Sequence, residues 1–344
     1  MKNVLRLVIL MVAIAALYLF AVHVAPKSTQ TSTDKILTEV TVTPTPIATP
    51  EPTVEPTVKP TPEVTALPEN VIAVIGTPAP TTAISEEITT EVVVSGNLEL
   101  HQINVGCGDA YLLRSDKFTI MIDGGQKDSS SGGKNMRQRV LNYLEDVGVS
   151  TIDAYVGTHW HGDHVENMIP ILEKFANDDT VVFGNSSKLP EKYNLSSWKG
   201  KYTQMKDSDV FNFGDTVIKC VGPYKLHSDE NYNSLNILVT HGETKILMAG
   251  DFIHSEVLDK HGEELKNIDV YKMAHHGLKV SDYSGSRAVL PHLNPDIILV
   301  PANSSGPTQD MVKNFGIAAK VYDNKNGHII VVSDGNSIAV TTEK

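Results

Sequence analysis

The sequence predicts an α/β domain of two β-sheets with helices outside them, filling residues 96–344 of the 344-residue chain. Three observations predict it. Short apolar strands broken by glycines open the domain and pair as hairpins. Strands then alternate with helical stripes. This order of hairpins followed by alternation occurs twice, which favours two packed sheets over one. The stretch is long enough for one large domain or a two-layered α/β unit.

The first strands are expected at 98–105, 110–113 and 118–122, with Gly106, Gly108, Gly124 and Gly125 as the breaks. Residues 132–147 carry Met136, Val140, Tyr143, Leu144 and Val147 at helical spacing, and Gly148 ends the stripe. A strand follows at 152–156 and a helix at 165–175. In Val217-Ile218-Lys219-Cys220-Val221, alternation places Cys220 beside Ile218 on the buried face of a strand. Segments 235–240 and 245–248 flank Gly242-Glu243 as a hairpin. Further strands are expected at 269–273, 296–300, 320–322, 328–332 and 337–340, with helices at 253–261, 283–290 and 307–316.

The front of the chain will not make a core. Lys2 and Arg6 precede an apolar run over 7–22, the pattern of a signal segment. Ala25 is the obvious cleavage point, but Pro26 follows it and His23 lies three positions back, where a small residue is wanted. An uncleaved anchor over 1–25 is therefore favoured over a removed peptide. The run is marginally short for the ~20 residues that cross a bilayer, so flanking residues would make up the length. No cysteine follows, which excludes a lipoprotein. The basic residues place the N-terminus in the cytoplasm and the rest outside, anchored to the membrane or secreted. Residues 26–95 form a Thr/Pro-rich linker, as in Pro50-Glu51-Pro52-Thr53-Val54-Glu55-Pro56-Thr57-Val58-Lys59-Pro60. Such sequence favours extended polyproline II, and at ~3.1 Å per residue it spans on the order of 100–150 Å.

Net charge is −12, of which −4 belongs to residues 1–95 and −8 to the domain. An acidic domain offers no footprint for wrapping nucleic acid. Cys107 and Cys220 are the only cysteines, too few for a disulfide framework, and each reads as a small packing residue.

His159-Trp160-His161-Gly162-Asp163-His164 follows the apolar strand end Ala154-Tyr155-Val156-Gly157. Four potential ligands within six residues, in a turn off a strand, can converge on one point. Imidazole and carboxylate suit zinc and similar divalent ions. This His-x-His-x-Asp-His run resembles the signature of the metallo-β-lactamase-fold hydrolases. Other pieces resemble the ComEC-type competence protein's extracytoplasmic domain. They are Asn104-Val105-Gly106-Cys107-Gly108-Asp109-Ala110, Ile120-Met121-Ile122-Asp123-Gly124-Gly125, and Asn233-Ser234-Leu235. Later come Ile246-Leu247-Met248-Ala249-Gly250-Asp251, then Lys272-Met273-Ala274-His275-His276-Gly277 with Ser281.

The resemblance covers 98–341 and implies an αββα four-layer sandwich with the site at the edge between the sheets. It implies two cations, Zn²⁺ or Mn²⁺. His159 and His161 would hold the first, and Asp163 and His164 the second. Asp251 would bridge them and His276 would complete the second position, preferred to His275 because the family's late ligand commonly precedes a glycine. His161, Asp163 and Asp251 would carry catalysis. Asp123 would orient a ligand histidine, and Asn233, His275 and Ser281 would serve as supporting or substrate-contacting residues. Two departures stand out. Many members place a further histidine on the first metal shortly before Asn-Ser-Leu, but here His227 lies too early and reads as a surface loop residue. Leu278 stands where the subgroup tends to have serine.

Paired cations lower the pKa of bound water and neutralise growing charge, which suits phosphoesters, lactams and thioesters alike. The expected function is extracytoplasmic phosphoester hydrolysis at the cell surface by a phosphodiesterase or nuclease-like esterase, with a phosphodiester as the leading substrate and a small nucleic acid left open though unsupported by charge. The competing readings are a binding module with a degenerate site and, behind it, a β-lactamase. The absent third histidine and the absence of a cysteine ligand argue against the latter. Oligomeric state is not legible.

Overall fold

The computed structural model describes residues 94–126, 135–193, 198–278 and 284–343. They belong to the second of two compact units, Pro60–Lys344. The anchor segment expected at 1–25, the linker up to residue 93, and Ser281 lie outside the described residues.

The opening hairpins form as β1 (Leu98–Gln102), β2 (Ala110–Arg114) and β3 (Thr119–Gly124), paired antiparallel in sequence order. Next to β3 lie β4 (Ala154–Val156), β5 (Val181–Gly184) and β6 (Lys201–Gln204), all parallel. The last strands, β14 (His328–Ser333) and β15 (Ile338–Glu343), return to the free edge of β1 and complete an eight-stranded sheet. The second sheet repeats the scheme with seven strands. In it β7 (Val210–Phe213), β8 (Thr216–Cys220), β9 (Asn236–His241) and β10 (Thr244–Ala249) run antiparallel. Then β11 (Val270–Lys272), β12 (Ile297–Val300) and β13 (Lys320–Asp323) run parallel to β10.

Alternation along each strand divides its side chains between two layers. Tyr111, Leu113, Ile120 and Ile122 meet Ile218, Ile237, Val239 and Met248 in the core between the sheets. On the outer face of the first sheet, Leu112, Met121 and Tyr155 pack against α1 (Met136–Asp146) and α3 (Met168–Phe175). On the outer face of the second, Leu247, Tyr271 and Ile298 pack against α4 (Val257–His261), α5 (Ser286–Leu293) and α6 (Gly306–Phe315). The layers are helix, sheet, sheet, helix, as expected. Cys220 faces the inter-sheet core beside Ile218, and both cysteines are free thiols.

Some local expectations fail for identifiable reasons. The helix expected over 165–175 is two pieces, α2 (Gly162–Val165) and α3. Pro170 has no N–H to give and is tolerated only in a first turn, so the helix restarts at Met168. The helix expected from 253 begins only at Val257, and the one expected at 283–290 runs from Ser286 to Leu293. Strands β5, β6 and β7 were not expected. Each has four residues, too few to show a period, and β6 is a largely polar edge strand.

Candidate metal centre

The candidate ligands leave the C-terminal ends of parallel strands in both sheets. Asp123 ends β3 and the histidine cluster follows β4, while Asp251 follows β10 and His275-His276 follow β11. Carboxyl ends of parallel strands are where α/β sheets place ligands. His161 is extended, with φ −78° and ψ 153°, and the chain then enters α2, so Asp163 and His164 fall in its first turn. Gly108, at φ +143°, lets the β1–β2 loop pass against this turn, where a Cβ would stand 2.6 Å from the Asp163 carbonyl. The Asp109 amide donates to that carbonyl at 3.0 Å, which brings its carboxylate into the cluster.

Asp251 is the centre, 2% exposed. Its Oδ1 lies 3.0 Å from His164 Nε2 and 3.6 Å from His276 Nε2, and His276 Nε2 is 3.2 Å from Asp163 Oδ2. Its Oδ2 faces a different group, 3.9 Å from His159 Nε2 and 3.6 Å from His275 Nε2. His161 Nδ1 lies 3.2 Å from His159 Nε2. His161 is exposed and the Asp163 side chain is 40% exposed, so the cluster opens to solvent on their side.

The outer nitrogens of the imidazoles are braced. His164 Nδ1 donates to Asp123 Oδ2 at 2.7 Å, and Thr158 fixes that carboxylate through its amide (2.8 Å) and hydroxyl (2.7 Å). His276 Nδ1 donates to Asp109 Oδ1 at 2.9 Å, and the other Asp109 oxygen is paired with the fully buried Lys272. Among the described residues, the hydrogen-bonding partners of His159 Nδ1 are hydroxyls, Thr158 Oγ1 at 3.3 Å and Ser234 Oγ at 3.5 Å. Ser234 Oγ also accepts from the Asp251 amide at 2.8 Å. Such bracing sets which ring nitrogen is left to face the centre.

The electrostatics divide along the same line. Burial alone would depress His164, but the carboxylates of Asp251, Asp109 and Asp123 outweigh it and hold the imidazole well above its ordinary pKa. Burial likewise opposes charge on His276, yet Asp251 and Asp109 push it up to about 9. His159 goes the other way: burial, then the charge of His164, drives it well below its ordinary value. Burial would raise Asp251 and Asp163. His164 and His276 outweigh it for Asp251, and a hydrogen bond from His276 together with the charge of His164 does so for Asp163, leaving both carboxyls below the usual range. Burial, then the surrounding carboxylates, pushes the Cys107 thiol up to about 11, which keeps it protonated in the metal-free chain.

These residues fit a divalent cation. His164 Nε2 and Asp251 Oδ1 lie 3.0 Å apart, but both are buried and neither makes a hydrogen bond of acceptable direction. Two buried polar atoms that face each other as an ion pair, without a well-directed hydrogen bond, leave a place for a third partner. Asp109, His164, Asp251 and His276 each bring a ligand atom within 4.8 Å of the others. Within that cluster Asp109 differs, because His276 Nδ1 and Lys272 already occupy its two oxygens, behind the imidazoles rather than before them.

The structure thus gathers His159, His164, His275 and His276 around the Asp251 carboxylate, with His161 against His159, Asp163 against His276 and Asp123 behind His164. Asn233 stands apart. Its amide group donates to Glu230 Oε2 (2.9 Å) and the His227 carbonyl (3.1 Å), and its oxygen accepts from the His227 amide (2.6 Å), so it ties down the preceding loop. His227 itself stacks near His254, with ring centroids 5.1 Å apart. Sequence reasoning gave no role to Asp109, Lys272 or Ser234. All three lie inside motifs it singled out, and the missing signal was a pairing between residues far apart in sequence.

A family model described as the metallo-beta-lactamase superfamily matches residues 104–284, slightly more than half of the chain. Among curated proteins none matches. Similar solved structures include the metallo-beta-lactamase fold protein YhfI from Bacillus subtilis, at 12% identity and TM-score 0.47 over 65% of this chain and 96% of that one. Unliganded yeast PDE1 is another, at 12% identity and TM-score 0.43 over 67% of this chain and 98% of that one. A third is CmlA, a diiron β-hydroxylase from Streptomyces venezuelae, at 15% identity and TM-score 0.43 over 67% of this chain and 52% of that one.

Proposed function

The chain belongs to the metallo-beta-lactamase superfamily, and we propose that it is a metal-dependent hydrolase of phosphoesters, phosphodiesters first, at the outer cell surface. The observation that carries the hydrolase reading is the Asp251 carboxylate, whose two oxygens face separate groups of imidazoles. When bound there, divalent cations supply Lewis acidity and a water ionisable near neutrality. His159 and His161 would hold one, Asp163, His164 and His276 the other, and Asp251 both. Asp123 and Asp109 orient His164 and His276 through their Nδ1 atoms, leaving each Nε2 for the centre. The exposed edges of His161 and Asp163 form the open face on which a substrate would lie.

Phosphoester chemistry rests on the resemblance of the motif series, from Asn104–Ala110 through His275-His276-Gly277, to ComEC-type domains. The net charge of −12 favours a small ester, such as a choline phosphate, over a long nucleic acid. The surface location rests on Lys2, Arg6 and the apolar run over 7–22. Among the described residues no helix is long and apolar enough to cross a membrane. We further propose the membrane as the partner of that N-terminal segment.

The test is hydrolysis of bis-p-nitrophenyl phosphate, p-nitrophenyl phosphorylcholine and nitrocefin by the full chain loaded with Zn²⁺ or Mn²⁺. Turnover of a phosphoester, abolished by chelator and by His161→Ala at unchanged folding, is expected. Activity that survives His161→Ala contradicts the reading. Absence of turnover on every substrate favours a binding module, and turnover of nitrocefin alone favours a β-lactamase.

A further inference from the structure

We propose that His275 is the third imidazole of the first cation position, alongside His159 and His161, and this rests on the metal-dependent reading above. The Asp251 carboxylate divides its neighbours. Oδ1 faces His164 at 3.0 Å and His276 at 3.6 Å, whereas Oδ2 faces His275 at 3.6 Å and His159 at 3.9 Å, with His161 beyond. Two consecutive histidines therefore straddle one carboxylate, each presenting its Nε2 to a different oxygen.

An ordinary backbone does not deliver this. Successive side chains on a strand point to opposite faces, and on a helix they diverge around its axis. His275 (φ 54°, ψ 44°) and His276 (φ 55°, ψ 16°) are both left-handed, and Gly277 continues the turn at φ 66°. For a residue with a Cβ this conformation costs roughly 1–2 kcal/mol. Strain of this kind persists where the surroundings enforce it, and it clusters at functional sites. Here the Gly250 carbonyl accepts from both the His275 amide (3.3 Å) and Lys272 Nζ (3.1 Å), fastening the turn to the strand end that carries Asp251. Gly277 packs so closely that a Cβ would meet Thr308 Oγ1 at 2.6 Å.

The result suits a ligand. With His159, His161 and Asp251 alone, the first position has three protein donors; His275 makes four, the number a tetrahedral zinc site takes. It comes from the second sheet, so the position is clamped by both sheets, as the second position is by His276. His275 is 14% exposed, open enough for exchange with solvent.

The experiment is metal content of the full-length chain, loaded with Zn²⁺ and dialysed, measured by elemental analysis. His275→Ala should fall from about two ions per chain to about one, with the lost ion's affinity reduced ~10–100-fold or more and the far-UV circular dichroism unchanged. His275→Asp, which keeps a ligand oxygen, should recover much of the second ion, and so guards against a mere folding defect. The absorption of Co²⁺ in the first position should change in His275→Ala and hold in the Leu278→Ala control. Retention of both ions at wild-type affinity in His275→Ala overturns the proposal, and if turnover alone falls, His275 is a substrate contact. A wild-type chain that binds no ion overturns this proposal and the metal-dependent reading together.

Discussion

On the Oδ1 side of Asp251 the imidazoles are backed by carboxylates; on the Oδ2 side His159 is backed by hydroxyls. Asp123 and Asp109 brace His164 and His276 at 2.7 and 2.9 Å, inside protein that excludes water. Thr158 and Ser234 stand 3.3 and 3.5 Å from His159, and the neighbouring His161 is exposed. A carboxylate behind an imidazole raises its basicity and fixes its tautomer, whereas a hydroxyl does much less. The difference teaches that one carboxylate can face two unequal groups of imidazoles, one braced by charge and one by neutral hydroxyls, so that under the proposed function the cation on the first side would be held tightly and the other more loosely. A looser position near solvent is where water and substrate can exchange.

The comparison collapses altogether if its shared member is removed. Asp251→Asn should lose both ions and lower turnover on the order of 10³-fold, several kcal/mol of charge stabilisation. Metal analysis beside a kinetic assay checks this. Next in size is the support beneath the tight side. Lys272→Met strips one Asp109 oxygen of its buried lysine, leaving that carboxylate only its imidazole partners, and should destabilise the fold by up to about 3–5 kcal/mol in urea denaturation. A more selective probe sets the two sides against each other. Asp123→Asn should weaken one ion about 10–100-fold, while Ser234→Ala should weaken the other by no more than about 3-fold, as a neutral partner warrants. Competition with a chromophoric chelator reads both.

The smallest effect concerns pH in the metal-free chain. His276 is raised from 6.5 to about 9, so its contribution to stability is complete below about pH 6.5 and is lost as pH rises through about 9. Asp251 is depressed, so its contribution is present at neutral pH and is lost only in strong acid. The metal-free chain should therefore show a falling Tm between about pH 6.5 and 9, by about 2–4 °C per kcal/mol lost. The zinc-loaded chain should gain stability over the same range, because ligand imidazoles must be neutral and cation binding releases their protons.

Much of this was legible in the sequence. The His159–His164 run was visible because ligand residues at short spacing after an apolar strand are rare by chance, whereas Asp251 entered only through the resemblance of its Ala249-Gly250-Asp251 motif to the family. The double succession of hairpins and strand–helix units announced two sheets, since period-2 and helical patterns are local. The bracing was not legible. Asp109 and His276 are 167 residues apart and meet only because the β1–β2 loop crosses to the end of β11. The role of His275 was hidden differently, because two adjacent histidines give no sign of a left-handed backbone that turns both toward one carboxylate. Pro170, with no N–H to give, is the local sign in the sequence that the helix after the cluster is broken.

The most direct test of the shared carboxylate is stepwise removal of zinc from the loaded full-length chain, followed as ions per chain against increasing chelator. The account predicts about two ions leaving in two separate steps, the looser first, with Asp123→Asn bringing the steps together and Asp251→Asn erasing both. A single ion, or two that leave in one step unaffected by Asp123→Asn, would contradict it.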